Sequence, residues 1–288
     1  MKKVVFIGNR LNVLRELPHF TELQMVKMYV QEGSLLHKKL PELSLPANVE
    51  PRVFAISDKA QVIAEITDTD FDLLISNGCP LILPVGQMQK GRRLFVNIHP
   101  TLLPDLKGKT PLNGVFLTHR QAIGATMHYI DPGIDTGHII AQAKTKLTPD
   151  LDQGLVYKIS FDLESLAFKL GMQKIIDADY DYPGTPQVGE GSYFNRTDEL
   201  QTIDLAADSS ERIIDKIKSF GVKGQGTEVS LSGKTYRIYA AEKIVNDYLT
   251  ETYLPTKIGE IAFEYSGKFV FRASDGLIRV DDFEQTAS

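Results

Sequence analysis

The stretch Leu94-Phe95-Val96-Asn97-Ile98-His99-Pro100 decides how the rest of the chain is read. It is a short apolar run closed by a proline, which has no N–H for a sheet ladder and so marks the strand's end. Side chains alternate along a strand, so Asn97 and His99 share one face while Val96 and Ile98 take the other. Two polar groups side by side at the end of a buried strand are costly unless partnered or used. An amide can steady a developing oxyanion and an imidazole can move a proton, the pair of services that acyl-type transfer requires.

Outward from this strand, the sequence alternates strands and helices. Lys3-Val4-Val5-Phe6-Ile7-Gly8 is an apolar run of the kind buried on both faces in a parallel sheet. Leu23 to Val30, residues 52–56 and Phe71 to Ser76 read as further strands. Ser57-Asp58 opens a helix through about residue 67, with Ala60, Ile63, Ala64 and Ile66 as its apolar stripe. Such alternation predicts an α/β fold with a doubly wound, mostly parallel sheet, whose ligands sit beyond the carboxyl ends of the strands. Asn97 and His99 lie at such an end. Gly124 to Ile130 and Gly137 to Lys144 are two more strands around the loop Asp131-Pro132-Gly133-Ile134-Asp135. A long helix follows, capped by Thr148 with Pro149 in its first turn, and runs to about Ile176.

Residues 181–204 form a linker whose start, Asp181-Tyr182-Pro183-Gly184-Thr185-Pro186, is dense in turn formers, and it is expected to lie along the first domain. The predicted domains are therefore 1–180 and 205–288. In the second, a helix from Ser209 to Phe220 precedes about five short strands with turns at Ser232-Gly233, Ser266-Gly267 and Ser274-Asp275-Gly276, the pattern of a small β-barrel.

Composition narrows the classes. Across 288 residues, 42% hydrophobic and 24% charged content is ordinary for a soluble enzyme. A net charge of -5 argues against broad nucleic-acid binding. A single cysteine, Cys79, excludes an internal disulfide framework. The start Met1-Lys2-Lys3-Val4-Val5-Phe6-Ile7-Gly8 does not read as a signal peptide. No apolar run approaches the roughly 20 residues of a membrane helix, so a cytoplasmic setting without membrane partners is expected.

The ordered series Asn97-Ile98-His99-Pro100-Thr101-Leu102-Leu103-Pro104, Lys107-Gly108, Pro111, Gly124-Ala125-Thr126-Met127-His128 and Asp131-Pro132-Gly133-Ile134-Asp135-Thr136-Gly137 resembles the folate-dependent formyltransferases. That group includes glycinamide ribonucleotide, methionyl-tRNA and amino-sugar formyltransferases. The likeness is strongest over 71–145 and extends over 1–200. It implies a Rossmann-like formyltransferase domain, and the tail resembles the OB-like barrel that several members append. It further implies N10-formyltetrahydrofolate as formyl donor, a primary amine as acceptor, and a catalytic trio of Asn97, His99 and Asp135. The pterin is expected between Cys79-Pro80-Leu81-Ile82-Leu83 and the loop carrying Asp131, Gly133 and Ile134. Asp135 is expected to hold His99, directly or through water, and to raise its pKa. Neither a covalent intermediate nor a metal is needed.

Other residues carry weaker signals. Gly8-Asn9-Arg10 follows the first strand in a place suited to an anion, and Lys107 and Lys109 follow the central strand; a solvated lysine pair is the plainer reading of the latter. His128 is expected to pack or bond within its strand. The spacings of His99, His119, His128 and His138 match no compact metal motif. Cys79 reads as a small buried residue, and Gly221, Gly224 and Gly226 as a flexible turn.

The expected acceptor is the amine of a nucleotide-linked amino-sugar. The loop from Gln31 to Pro51 lacks the dense basic insertion that looks characteristic of the methionyl-tRNA enzymes, and residues 205–288 hold eleven Lys and Arg against thirteen Asp and Glu. A protein gripping tRNA needs a positive surface. The phrase from Ile123 to His128 also looks closer to the sugar enzymes. The alternatives are a methionyl-tRNA formyltransferase, the glycinamide ribonucleotide enzyme, a hydrolase acting on the same folate, and a non-catalytic folate-binding module. The tail is expected to serve homodimerisation or substrate reach rather than chemistry.

Overall fold

The structure is a computed structural model and describes residues 1–286. The chain divides into two compact units, the first of Met1–Gly108, Ala122–Lys146 and Ile159–Tyr193, the second of Lys109–Gln121, Leu147–Lys158 and the chain from Phe194 onward.

The first unit is built on strands β1 (Lys2–Gly8), β2 (Leu23–Gln31), β3 (Pro51–Phe54), β4 (Leu73–Asn77), β5 (Leu94–His99), β6 (Ala122–Tyr129) and β7 (Ile139–Lys146). They form one sheet in the order β3-β2-β1-β4-β5-β6-β7. The first five pair in parallel, while β6 and β7 join antiparallel. The central parallel strands β1, β4 and β5 are largely apolar because both faces are covered. Val4, Phe6, Leu73, Ile75, Val96 and Ile98 pack with Val13, Leu14, Phe168, Met172 and Ile175. Val5, Ile7, Leu74 and Phe95 pack on the opposite side with Val62, Ile66 and Met88. Val96 and Ile98 thus point to one layer, as their alternation with Asn97 and His99 requires.

The helix Lys59–Asp68 follows a short turn at Ile56–Asp58 and buries Val62 and Ile66. The long helix Gln153–Asp177 begins five residues later than Thr148. Leu151 N–H turns back to Thr148 O at 3.1 Å, closing a separate turn, and Asp152 Oδ1 receives Leu155 N–H at 2.8 Å. The side-chain oxygen that meets a free N–H of the first turn therefore belongs to Asp152.

In the second unit, β8 (Thr227–Leu231), β9 (Lys234–Ile244), β10 (Ile261–Tyr265), β11 (Lys268–Ala273) and β12 (Gly276–Thr286) form an antiparallel sheet in the order β10-β11-β12-β9-β8. The helix Ser210–Phe220, capped by the Ser209 side chain, supplies Ile213 and Ile217 to a core with Val229, Ile238, Phe271 and Ile278. Ser232 N–H donates to Gly259 O at 2.9 Å and Ile261 N–H to Ser232 Oγ at 3.0 Å, tying the β8–β9 turn to the start of β10. This curling gives the sheet a barrel-like form. Among the described residues no helix is long and apolar enough to cross a membrane.

Phe168 is fully buried in the first unit and meets the Phe20 ring edge-to-face at 5.6 Å. Phe168→Ala is expected to cost about 3–5 kcal/mol of stability through lost burial and a residual cavity. A clearly lower urea midpoint is the expected result; a midpoint at the wild-type value would contradict this account of the core.

Candidate active site

The carboxyl end of β5 meets β6 in antiparallel register, with Asn97 opposite His128 and His99 opposite Thr126. Thr126 and His128 share a face of β6, so the register brings two imidazoles to one edge of the site, their centroids 6.4 Å apart. Asn97 accepts the Ser76 hydroxyl at 2.8 Å through Oδ1. Its Nδ2 lies 3.1 Å from His128 Nε2 and 3.4 Å from Asp135 Oδ1. The Ser76 bond orients the amide so that its donors face the imidazole and the carboxylate.

The ring tautomers follow from their partners. His99 Nε2 sits 2.8 Å from Leu106 O, which can only accept, so Nε2 carries the hydrogen. His99 Nδ1 then faces Asp135 Oδ2 at 3.6 Å, an ion-pair separation longer than a hydrogen bond. His128 Nδ1 donates to Tyr129 O at 2.8 Å, leaving Nε2 to accept from Asn97. Neutral His128 thus satisfies both ring nitrogens.

Burial decides the charge of both rings. His99 is 4% exposed, and its pKa is lowered: loss of hydration outweighs the Asp135 charge and the Leu106 carbonyl, and Arg10 pushes the same way as burial. This reverses the sequence expectation, which gave Asp135 the deciding role. Burial pushes His128 down to about 4, against Asp135 and with the repulsion of His99.

Asp135 occupies the left-handed region, φ 55°, where Asp is among the better tolerated residues. Its Oδ2 accepts Gly108 N–H at 2.9 Å, and its carbonyl accepts the Gln187 amide at 2.8 Å. The turn that presents it is closed by Asp131 Oδ1, which accepts Gly133 N–H at 3.1 Å and the Thr136 hydroxyl at 2.6 Å. Gly137 completes it: a Cβ there would fall 1.9 Å from Tyr129 O.

The residues expected to hold the pterin lie on the opposite layer from Phe168. Cys79, Leu81 and Ile130 rest on the core that contains Leu83 and Val85. Ile82 and Ile134 are 76% and 48% exposed, apolar surface of a kind suited to the face of a flat ring. Pro80 and Gly133 lie within the same two segments. Burial pushes the Cys79 thiol up to about 12, so it is no nucleophile at neutral pH.

The residues singled out for an anion behave differently from one another. Asn9 binds Gln31, its Nδ2 2.7 Å from Oε1 and its Oδ1 receiving the Gln31 N–H. Gly8 ends β1 beside Asn77. Arg10 pairs with the fully buried Glu164 and lies over the Phe161 ring at 4.5 Å, so its charge is already matched. Lys107 is only 5% exposed, which corrects the reading of a solvated pair; its Nζ donates to Glu190 O at 3.3 Å. Lys109 is exposed. Among the described residues no group of His, Cys, Asp and Glu is arranged to hold a metal ion.

His128, Ser76 and Gln187 carried no functional reading in the sequence. The alternation Gly124, Thr126, His128 was the available signal: an antiparallel β6 puts that face opposite Asn97 and His99.

Comparison with known proteins gives likeness over the region that holds this site. A family model described as "Formyl transferase" matches residues 38–169, which include Asn97, His99, His128 and Asp135. The methionyl-tRNA formyltransferase of Syntrophus aciditrophicus is 26% identical over 251 residues, covering 85% of this chain and 73% of that protein. The Sphingopyxis alaskensis enzyme of the same name is 26% identical over 190 residues, 65% of this chain and 59% of its own length. Among solved structures, the Helicobacter canadensis N-formyltransferase in complex with folinic acid and dTDP-3-aminofucose superposes with a TM-score of 0.67, at 19% identity over 99% of this chain and 100% of that one. HypX from Aquifex aeolicus in complex with tetrahydrofolic acid gives a TM-score of 0.64 at 16% identity, over 99% of this chain and 44% of that one. The structural likenesses establish the fold. Residues 38–169 match the formyl transferase family, and the chain is similar to formyltransferases over most of its length.

The lowered His128 pKa has a thermodynamic consequence. The unfolded chain binds a proton at this residue near 6.5, the folded chain only near 4. The unfolded state therefore holds more protons between those values, and stability falls as pH drops through that window. In His128→Gln the fall in melting temperature from about pH 6.5 to 4 is expected to be shallower than in the wild type. An equal slope in both proteins would show that His128 is not held neutral by burial.

Proposed function

We propose that this protein transfers the formyl group of N10-formyltetrahydrofolate to a primary amine carried by a nucleotide-linked amino-sugar. The observation that carries the reading is the convergence of Asn97, His99 and Asp135 on one point at the end of β5. The chemistry is assigned to residues 1–180, with 181–204 as linker and 205–288 serving substrate reach or self-association.

Bound folate supplies the electrophilic formyl carbon. The attacking amine must be neutral and must lose a proton after it adds. His99 rests as a free base with Nδ1 toward Asp135, so it can take that proton as the carboxylate steadies the imidazolium. The Asn97 N–H that spans 3.4 Å to Asp135 is the looser of its two bonds and the one able to turn to a developing oxyanion. His128 and Ser76 keep the amide oriented while that happens. Proton delivery to the departing N10 falls to the His99–Asp135 pair.

The choice of acceptor rests on charge. Of the eleven basic residues in 205–288, Lys216, Lys223, Arg237, Lys268 and Arg279 already face carboxylates. This leaves little positive field for a polyanion. The dTDP-3-aminofucose complex of the Helicobacter canadensis relative agrees with a sugar acceptor. Methionyl-tRNA is the second reading, favoured by the names of the sequence relatives.

Turnover of N10-formyltetrahydrofolate with dTDP-3-aminofucose, other nucleotide-linked amino-sugars and charged initiator tRNA tests the reading. Transfer to a sugar amine is expected. Transfer to tRNA alone would select the second reading, amine-independent formate release a hydrolase, and folate binding without turnover a binding module. Asn97→Ala is expected to lower kcat roughly 10²–10³-fold, the usual loss for one oxyanion donor. His99→Ala and Asp135→Ala are expected to abolish transfer in a folded protein that still binds folate; near-wild-type rates would refute these roles.

A further inference from the structure

We propose that Gln187 is a positioning residue, and that the segment 187–193 is a strap that sets the His99–Asp135 geometry; this rests on the formyl-transfer reading above. Two separate loops assemble the site. The loop after β5 supplies Leu106 O to His99 and Gly108 N–H to Asp135. The loop after β6 supplies Asp135 itself. The segment 187–193 bonds to both.

Toward the Asp135 loop, Gln187 Nε2 donates to Asp135 O at 2.8 Å and to Gly137 O at 2.9 Å. Both of its amide hydrogens are thus committed to the carbonyls on either side of Thr136. They fix a residue whose φ of 55° is not a favoured conformation for a side chain with a Cβ. The Tyr193 hydroxyl reaches Ile134 O at 3.5 Å. Toward the other loop, Ser192 O accepts Lys107 N–H at 2.8 Å and Ser192 Oγ accepts Leu106 N–H at 3.0 Å. Lys107 Nζ donates to Glu190 O and stands over the Tyr193 ring at 5.2 Å. Gly191, at φ 66°, lies so close to the chain that a Cβ would fall 2.0 Å from Pro104 O.

The energetics single out Gln187. A side-chain amide spending two part-buried donors on the backbone of one turn is costly to remove, because both carbonyls lose the partner that holds the turn. Without it the turn can relax toward φ values that move the carboxylate off Gly108 N–H and His99. A displacement of about 1 Å at a reacting group can cost on the order of 10²-fold in rate. Gln187 touches neither donor nor acceptor in this scheme; it acts through Asp135.

The test compares wild type with Gln187→Met, which fills the same space without donors, Gln187→Glu, which sets oxygen against the two carbonyls, and the surface control Leu35→Ala, at a side chain 65% exposed and outside the strap. The probes are N10-formyltetrahydrofolate with dTDP-3-aminofucose, or the best amine of the panel, and hydrogen exchange of the Gly108 backbone amide. Both Gln187 variants are expected to lose roughly tenfold or more in kcat with KM values within about threefold. Gly108 is expected to exchange at least about tenfold faster in them, while Leu35→Ala matches wild type. In the wild type, the Gln187 side-chain amide is expected to be protected from exchange, a reading that needs no variant to fold. An unprotected Gln187 amide, unchanged Gly108 exchange in the variants, or a loss confined to KM would each overturn the proposal. A wild type that transfers no formyl group would defeat the functional reading alone, and the exchange measurements would still decide this one.

Discussion

A single carboxylate, that of Asp135, faces two buried imidazoles, and the chemistry of the site follows from how that charge is shared. Its Oδ2 lies 3.6 Å from His99 Nδ1 and its Oδ1 lies 3.6 Å from His128 Nε2. One negative charge can offset one imidazolium but not two, and burial disfavours both. Hydrogen bonding breaks the tie. Neutral His128 has every ring nitrogen satisfied, by Tyr129 O and by the Asn97 amide. Neutral His99 leaves an Nδ1 lone pair toward a carboxylate, the less comfortable arrangement and the one a proton relieves. A proton entering the site therefore settles on His99, and two like residues acquire different work from their partners alone.

The sheet supplies this arrangement through one change of direction. In a purely parallel sheet, a crossover would carry the chain away after β5. Here β6 returns antiparallel and leaves the sheet beside the amino half of β5, with Tyr129 opposite Val96, and the turn Asp131 to Thr136 folds back to bring Asp135 to Asn97 and His99. The tight contact of Gly137 with Tyr129 O is the local condition for that turn. The pairing of Asn97 with His128 is its consequence one pair further along the ladder.

Much of this was legible in the sequence, and what was not has a common cause. The apolar runs of β1, β4 and β5 and the turns at Ser232-Gly233 and Ser266-Gly267 are local signals, and each element stands where the pattern put it. The shared face of Asn97 and His99 needed only the strand period. The role of His128 depends on strand register, which no local pattern records. Arg10 finds Glu164 across 154 positions, so its pairing lay beyond any reading of Gly8-Asn9-Arg10. Lys107 is buried by Tyr193 and Glu190, residues of a segment whose composition announces only a linker. The direction of the His99 pKa shift depends on burial, which neighbours in sequence do not set.

Charge balance ties these misses together. Glu164 is buried and its carboxyl pKa is raised by burial, against the pull of Arg10; as an ion pair the two add no net charge to the unit. Around the two loops, part-buried Asp135 carries a negative charge and buried Lys107 a positive one. In the proposed reaction, addition of an amine to a formyl group would create an oxyanion and, through His99, an imidazolium, again one charge of each sign. The reaction then moves charge within a low-dielectric site without changing its total, the condition under which fixed dipoles such as the Asn97 amide and the Gly108 N–H act most strongly.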